Sequence, residues 1–252
     1  MQFLLPVRIF LILLSLFLFA PLVIAQSPVA SPYFARRNTF SIFGAYSNDS
    51  SHILLGEADN RKLLDIGVGY NRRIILNRIV NWQYSGEILP VALESDPVLN
   101  IVINQTSPIV ITSSFTELQP GPCIPGSESF SVNFGEGVVY SGTETITCGR
   151  RWTIGEAISP VGMQWNFLPR KKIQPFISGH GGYMYSTQPI PQLQAGSFNF
   201  TFDLGAGVEL YRSKTRSVRA EYRYHHISNH ETALQNPGID NGLLQVTYSF
   251  GR

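Results

Sequence analysis

The sequence predicts an all-β fold, an eight-stranded antiparallel transmembrane β-barrel. Three observations support this prediction. Charged residues make up only 14% of the 252 residues, whereas a soluble domain usually carries about 25%. Polar and apolar residues alternate with a period of two in segment after segment, as they do in half-buried strands. Long and short connections also alternate, which is typical of the loops and turns of outer-membrane barrels.

Composition and charge exclude several other classes of protein. A formal net charge of +2 and a hydrophobic content of 44% do not fit a disordered chain. The same low charge argues against a basic nucleic-acid-binding module, so we expect no nucleic-acid partner. A helical membrane protein with several spans would need several apolar runs of about 20 residues, and the sequence has one, at its N-terminus.

The N-terminal apolar run is predicted to be a signal peptide over residues 1–25. Arg8 precedes the run, and the small residues Val23 and Ala25 provide the cleavage pattern. Cleavage before Gln26 removes 25 of the 252 residues and one positive charge, which leaves 227 residues with a net charge of +1. The alternative is an uncleaved anchor helix.

Eight segments of the mature chain have the character of strands. The clearest is 198–211, where apolar residues at even positions alternate with small or polar residues at odd positions. Its length exceeds the usual 5–6 residues or so of a soluble strand and suits a tilted membrane strand of about 9–11 residues. The predicted strands are 38–47, 62–72, 79–89, 153–167, 173–186, 198–211, 217–229 and 240–250.

The connections between these strands predict how the barrel is oriented. The connections 168–172 and 212–216 are short and basic, like periplasmic turns. The longer ones are predicted to be extracellular, and they cover 48–61, 90–152 and 187–197. Residues 26–252 are therefore predicted to be a single barrel, with 90–152 as a long extracellular loop.

The long loop contains both cysteines of the chain, Cys123 and Cys148. In an exported protein such a pair is predicted to form a disulfide. Two thiols without a nearby histidine pattern do not complete a tetrahedral metal shell. We therefore expect a disulfide, no metal site and no cofactor.

The phase of the strands predicts which charged residues face the lumen. If the apolar parity faces lipid, the polar parity faces inwards, and an eight-stranded interior is just wide enough to be filled by side chains. We expect these residues to form a structural ion-pair network, joined by His225, and we expect no open pore. His180 also has lumen parity, among glycines that are expected to let the strand bend. The predicted lumen residues are Asp65, Glu87, Glu156, Asp203, Glu209, Arg219, Glu221 and Arg223.

A different set of polar residues falls on the predicted outer wall. The apolar parity of strand 217–229 continues to His226 and Ser228, about 6.5 Å apart along the strand, and that of the last strand includes Asp240. A serine, a histidine and a carboxylate at one rim are the groups that nucleophilic acyl transfer requires. The alternative is a polar hairpin rim without a catalytic role.

These residues resemble a known family. The H-x-S-N motif at 226–229, followed by Asn-Pro-Gly-Ile at 236–239 and a polar residue, is similar to a region of the PagL family of lipid A 3-O-deacylases, also called acyloxyacyl hydrolases. The resemblance implies an eight-stranded outer-membrane barrel whose active site lies on the outer wall near the extracellular rim.

The resemblance also implies a role for each matching residue. Ser228 is expected to be the nucleophile, His226 the general base, Asn229 an oxyanion donor and Asp240 the orienting acid. The acid is a glutamate in the family's best-known enzymes, and Glu231 is the alternative acid here. The family usually has small residues directly after H-x-S-N, whereas this chain has a histidine and Glu231.

The predicted function is therefore an outer-membrane serine esterase that removes an ester-linked acyl chain, the 3-O chain by resemblance, from lipid A. Its expected partners are lipopolysaccharide and outer-membrane lipids, and a homodimer is left open. The main alternative is a non-catalytic barrel that acts in adhesion or envelope structure through 90–152. A small-solute channel would require an open lumen.

Overall fold

The structure is a computed structural model that describes residues 33–118, 121–135 and 137–252. The predicted signal peptide lies outside these residues. No helix in the described part of the chain is long and apolar enough to cross a membrane. The described elements are the strands β1 (Asn38–Ser47), β2 (Lys62–Leu76), β3 (Val80–Ser107), β4 (Ile111–Leu118), β5 (Gly126–Asn133), β6 (Val139–Phe167), β7 (Ile173–Ser186), β8 (Phe198–Tyr211), β9 (Arg216–Ser228) and β10 (Ile239–Gly251).

Eight of these strands close a barrel. Strand β1 pairs antiparallel with β2 and with β10, and neighbouring pairs continue from β10 through β9, β8 and β7 to β6. Strand β3 pairs with both β2 and β6, which completes the ring. The predicted eight-stranded antiparallel barrel is confirmed. Closure matters because a barrel wall in lipid cannot leave backbone groups unpaired.

The segment 90–152 contains strands that the sequence did not predict. Strands β3 and β6 are 28 and 29 residues long and continue past the barrel as a pair flanked by β4 and β5. We call this four-stranded extension, residues 97–149, the flap. Its edge strands are exposed on almost every residue, so they lack the alternation of a half-buried strand. A disulfide joins Cys123 to Cys148 within it, as predicted.

The outer wall of the barrel has an apolar middle band between two aromatic girdles, as membrane barrels do. We call the end with the flap and the long connections the loop end, and the opposite end the turn end. The loop-end girdle contains Tyr46, Tyr183, Tyr185, Phe198 and Phe200. The turn-end girdle contains Phe40, Tyr70, Trp82, Trp165, Tyr248 and Phe250.

The lumen is filled by side chains. Arg223 donates to Glu87 at 2.7 Å and to Glu221 at 3.0 Å, and His225 pairs with Asp203, so the predicted ion-pair network is present. A cavity of about 20 Å³ remains, which is room for about one water molecule. Towards the loop end an apolar layer closes the interior, formed by Ala45, Ala58, Leu63, Ala92, Met184, Ile190, Ile227, Ile239 and Leu243.

One lumen prediction is wrong, because Glu156 is exposed on the outer wall. It shares its parity with Ile154, which is 55% exposed. Further along β6 the even positions Gln164 and Asn166 are buried instead. The pairing of β6 with β7 shifts register between Ile158 and Val161, and a bulge at this point exchanges the inward and outward faces of the strand.

Candidate active site

Strands β9 and β10 bring His226 and Asp240 together at the loop end. The two residues are directly opposite each other in the register, and neighbouring strands place such side chains in contact. The Nδ1 atom of His226 lies 2.6 Å from Oδ1 of Asp240. If Nδ1 carries the proton, the carboxylate accepts it in a hydrogen bond and Nε2 remains free to accept a proton.

Further donors hold the Asp240 carboxylate, and one of them is the backbone N–H group of Gly56. The backbone N–H groups of Leu54 and Leu55 donate to Oδ2 at 2.7 and 2.8 Å. The Tyr224 hydroxyl donates to Oδ1 at 2.8 Å. Hydrogen bonds to a charged acceptor are among the stronger ones in proteins, so this carboxylate is fixed in position. Sequence reasoning did not assign a role to any of these donors, although Tyr224 lies on the same face two residues before His226.

The loop 48–61 reaches Asp240 because it lies flat against β10. A Cβ atom added to Gly56 would lie 2.5 Å from the backbone nitrogen of Asp240, so only glycine permits this close approach. The next residues, Glu57 and Ala58, donate backbone hydrogen bonds to the carbonyls of Pro237 and Gly238 at 2.6 and 3.1 Å. This cover explains why both His226 and Asp240 are buried although they lie on the outward parity.

A buried ion-pair cluster anchors the same loop at the base of the flap. Arg61 Nε lies 3.3 Å from Asp96 Oδ1, with both side chains fully buried. Arg151 donates to the other oxygen of Asp96 at 2.6 Å, and Arg61 also donates to the carbonyl of Pro191 at 3.1 Å. The cluster therefore ties loop 48–61, loop 187–197 and β3 into one packed unit beside the site.

Ser228 is the last residue of β9, and its side chain is half-buried on the same face as His226. Within the described residues its hydroxyl makes no hydrogen bond, so the expected contact with His226 is not formed. Such bonds are often long in unliganded enzymes and shorten when substrate binds. Ser228 pairs with Phe200 on β8, and the Phe200 ring packs edge-on against His230.

Asn229 is not arranged as the predicted oxyanion donor, because its N–H groups are bound to other partners. Its side-chain N–H groups donate to the carbonyl of Ala195 and, at 2.7 Å, to that of Gln235. Its backbone N–H donates to Oδ1 of Asn236 at 3.0 Å. In this arrangement the amide has no free N–H near Ser228. The residue instead ties the 229–238 connection to loop 187–197.

The turn after Asn229 has an unusual backbone. His230 and Glu231 have φ angles of +50° and +63°, a conformation that favours glycine. Their backbone N–H groups donate to no other described residue. The Glu231 side chain is exposed and forms no ion pair in the described part of the chain. The structure therefore brings Asp240, and not Glu231, to His226.

Three lumen residues have side chains of the type that binds metals. Ligand atoms of Glu87, His180 and Asp203 lie within 4.8 Å of one another. Arg223 donates to Glu87 and lies 3.8 Å from Asp203, so a guanidinium already balances these carboxylates. We interpret the group as part of the ion-pair network.

Comparison with known proteins identifies a family that matches part of the chain. A family model described as lipid A 3-O-deacylase (PagL) matches residues 128–249. This part of the chain belongs to the PagL family. The match includes β7, β8 and β9 in full and most of β10, so it contains His226, Ser228 and Asp240. The family consists of ester hydrolases that act on lipid A, which makes the protein a lipid A-modifying enzyme of the outer membrane.

Similar solved structures are outer-membrane barrels. The outer-membrane enzyme PagL is 12% identical, with a TM-score of 0.47 and coverage of 84% of this chain and 99% of that chain. Neisserial surface protein A is 11% identical, with a TM-score of 0.42 and coverage of 85% and 97%. OprG from Pseudomonas aeruginosa is 10% identical, with a TM-score of 0.37 and coverage of 86% and 98%. No curated protein sequence matches the chain.

Proposed function

We propose that the protein is a serine esterase that removes the 3-O acyl chain of lipid A at the extracellular rim of the barrel. The observation that supports this proposal is the hydrogen bond between His226 and Asp240 on the outer wall, two residues from Ser228. These are the three groups that an acyl-transfer triad needs, and they lie in the region that matches the family.

The proposed reaction has two steps. The Ser228 hydroxyl attacks the ester carbonyl of the acyl chain while Nε2 of His226 takes its proton. Collapse of the tetrahedral intermediate breaks the bond to the sugar oxygen, and His226 returns the proton to that oxygen, which leaves an acyl-serine. Water, deprotonated by His226, then attacks the acyl-serine carbonyl; the bond to Ser228 Oγ breaks, His226 returns the proton to Oγ, and the fatty acid is released. Asp240 accepts the Nδ1 hydrogen bond throughout and stabilises the imidazolium.

The developing oxyanion needs N–H donors close to Ser228. Asn229 can serve only if its amide exchanges its bond with the Gln235 carbonyl for one to the oxyanion. The backbone N–H groups of His230 and Glu231 require no such exchange, because neither has a partner among the described residues. We therefore assign these two N–H groups to the oxyanion together with Asn229.

The surroundings of the site favour a substrate that stays in the membrane. Ser228 lies at the loop-end girdle beside Phe200, and loop 48–61 exposes Leu54 and Leu55 at 72% and 65%. An acyl chain can therefore lie along the apolar wall while its ester reaches Ser228, and the chain need not leave the hydrocarbon.

The test is mass spectrometry of lipid A from a Gram-negative host that expresses the chain. The wild type is expected to remove one acyl chain, and Ser228→Ala is expected to leave lipid A intact. Ser129→Ala, at an exposed position of the flap, is the matched control and should behave as the wild type. Lipid A identical to that of the empty host, from cells that contain the folded wild-type barrel, would refute the proposal.

The flap is the observation that favours the second candidate, a binding role. Its edge strands β4 and β5 are exposed and each pairs on one side only, so they can add a strand from a partner. Deletion of 97–149 should abolish adhesion to host cells and preserve deacylation if this role exists. Unchanged adhesion after the deletion would exclude it.

A further inference from the structure

Basic side chains are concentrated at the turn end of the barrel. The segments 33–41, 70–82, 165–175, 207–218 and 248–252 contain twelve of the 19 lysines and arginines of the chain. Ten of the twelve are exposed: Arg37, Arg72, Arg78, Arg170, Lys171, Lys172, Arg212, Lys214, Arg216 and Arg252. We call these ten residues the basic collar.

Acidic side chains do not balance this collar. The five turn-end segments contain a single acid, Glu209, which is buried and binds the buried Arg36 at 2.6 Å. No exposed aspartate or glutamate occurs in these segments. The collar is therefore a surface of one sign, and its field is not cancelled by neighbouring carboxylate side chains.

The loop end has the opposite character. The flap carries four glutamates, at 117, 128, 136 and 144, and contains no lysine, arginine or histidine. Four basic residues lie near its base: Arg61, Lys62, Arg150 and Arg151. Arg61 and Arg151 are paired with Asp96, and Arg150 donates to Ser95 and Asn60. The protein thus has an electrostatic polarity along the barrel axis, and only the turn end attracts anions over an extended surface.

The turn-end girdle shows at which depth the collar lies. Its aromatic side chains mark the boundary between hydrocarbon and headgroups. The collar residues follow directly on the ends of the strands that carry this girdle, since Arg72 is two residues from Tyr70 and Arg252 is two residues from Phe250. Arg170 lies 5.0 Å from the centre of the Tyr33 ring. The charged groups are therefore level with the phosphates of one leaflet.

We propose that the basic collar binds the headgroups of anionic phospholipids in the leaflet at the turn end, which is the periplasmic leaflet. Guanidinium groups match the geometry of phosphate oxygens and can bind them through two parallel hydrogen bonds. A ring of ten cations around the barrel can collect several such headgroups. This shell of phospholipids lies at the end of the barrel opposite His226 and Asp240, and it does not depend on the proposed esterase activity.

The test measures how lipids distribute around the protein. The folded full chain is reconstituted in phosphatidylcholine vesicles that contain a trace of spin-labelled phosphatidylglycerol or spin-labelled phosphatidylcholine. The fraction of label immobilised by the protein gives the relative association of the two lipids. We expect phosphatidylglycerol to be favoured by about fivefold or more at low salt, and this preference should fall towards one in 1 M salt because the charges are screened.

Two variants test whether the basic collar causes the preference for phosphatidylglycerol. In the first, Arg170→Gln, Lys171→Gln, Lys172→Gln and Arg212→Gln are combined, and the preference should fall at least threefold. The matched control, Glu128→Gln with Glu144→Gln in the flap, should keep the wild-type preference. Folding is verified in each case by the faster migration of the unheated barrel on a denaturing gel.

Several results would overturn the proposal. Equal association of the two labelled lipids with the wild type at low salt would exclude a headgroup site. An unchanged preference in the folded fourfold variant would place the site elsewhere on the barrel. If unlabelled lipid A displaces phosphatidylglycerol at equal phosphate concentration, the collar selects lipid A phosphates and the assignment to phospholipid is wrong.

Discussion

Two adjacent histidines, His225 and His226, form the same type of pair on opposite sides of one barrel wall. His225 points into the lumen and pairs with Asp203 on β8. His226 points outwards and pairs with Asp240 on β10. A hydrogen-bonded histidine and aspartate are therefore not a catalytic signature by themselves, because the same geometry occurs in the lumen network and at the candidate site.

The surroundings distinguish the two pairs. Inside, Arg223 lies 3.8 Å from Asp203, and the remaining space holds about one water molecule, so no substrate can approach. Outside, Ser228 follows on the same face, and the loop end opens onto the apolar wall. His226 is as buried as His225, so what distinguishes the outer pair as a catalytic candidate is the half-buried Ser228 on the same face, at the edge of the apolar wall.

The largest expected contrast is between the two histidines. His226→Gln should lower the rate of acyl release about a thousandfold, because removal of a general base costs about 10²–10⁴ in rate. His225→Gln should keep the rate within about threefold and lower the stability of the barrel, since it disrupts a buried pair. Acyl release is measured with purified lipid A in micelles and stability by urea unfolding. Equal losses of activity in the two variants would remove the distinction.

Substitution of Asp240 and of Asp203 tests the same contrast at the acidic partner of each histidine. Asp240→Asn should lower the rate of acyl release by about a hundredfold or more, because His226 loses the group that fixes its tautomer. Asp203→Asn is the control within the lumen and should retain most of the activity. An Asp240→Asn enzyme with wild-type rate would show that another group, such as Glu231, orients the histidine.

Substitution of Tyr224 tests how much the hydrogen-bond donors around Asp240 contribute to the rate of acyl release. Tyr224→Phe removes only the hydroxyl that donates to Asp240 at 2.8 Å, so kcat should fall about tenfold or more, as expected for one hydrogen bond to a charged group, while KM stays constant. Tyr222→Phe, on the same face one step further from the site, should leave both parameters unchanged. A change in KM alone would point to a contact with substrate.

The smallest expected effect concerns the turn after Asn229. Glu231→Gly relieves a left-handed backbone at a residue with a side chain and should raise the free energy of unfolding by about 1 kcal/mol. The rate of acyl release should change less than about threefold, since the Glu231 side chain does not contact His226. A loss of activity comparable to that of Asp240→Asn would instead assign Glu231 as the acid.

Much of this arrangement could be predicted from the sequence because strand phase is a local property. Alternation placed His226, Ser228 and Asp240 on the outer face and His225 on the inner one. It failed at Glu156, where a bulge inverts the phase. It also could not show the contacts of Leu54 and Leu55 with Asp240, because they lie about 185 residues apart in sequence and depend on how a loop folds back. The edge strands of the flap, β4 and β5, were missed because they have no buried face to produce a pattern.

The position of Leu54 and Leu55 has a consequence for when the enzyme becomes active. Both residues lie between the first two strands, whereas Asp240 lies on the last one, and the two regions meet only when β1 pairs with β10. A chain whose wall has not closed lacks the backbone N–H groups that hold the Asp240 carboxylate. The candidate site is therefore complete only in the closed barrel, and we expect a partly assembled chain to lack esterase activity.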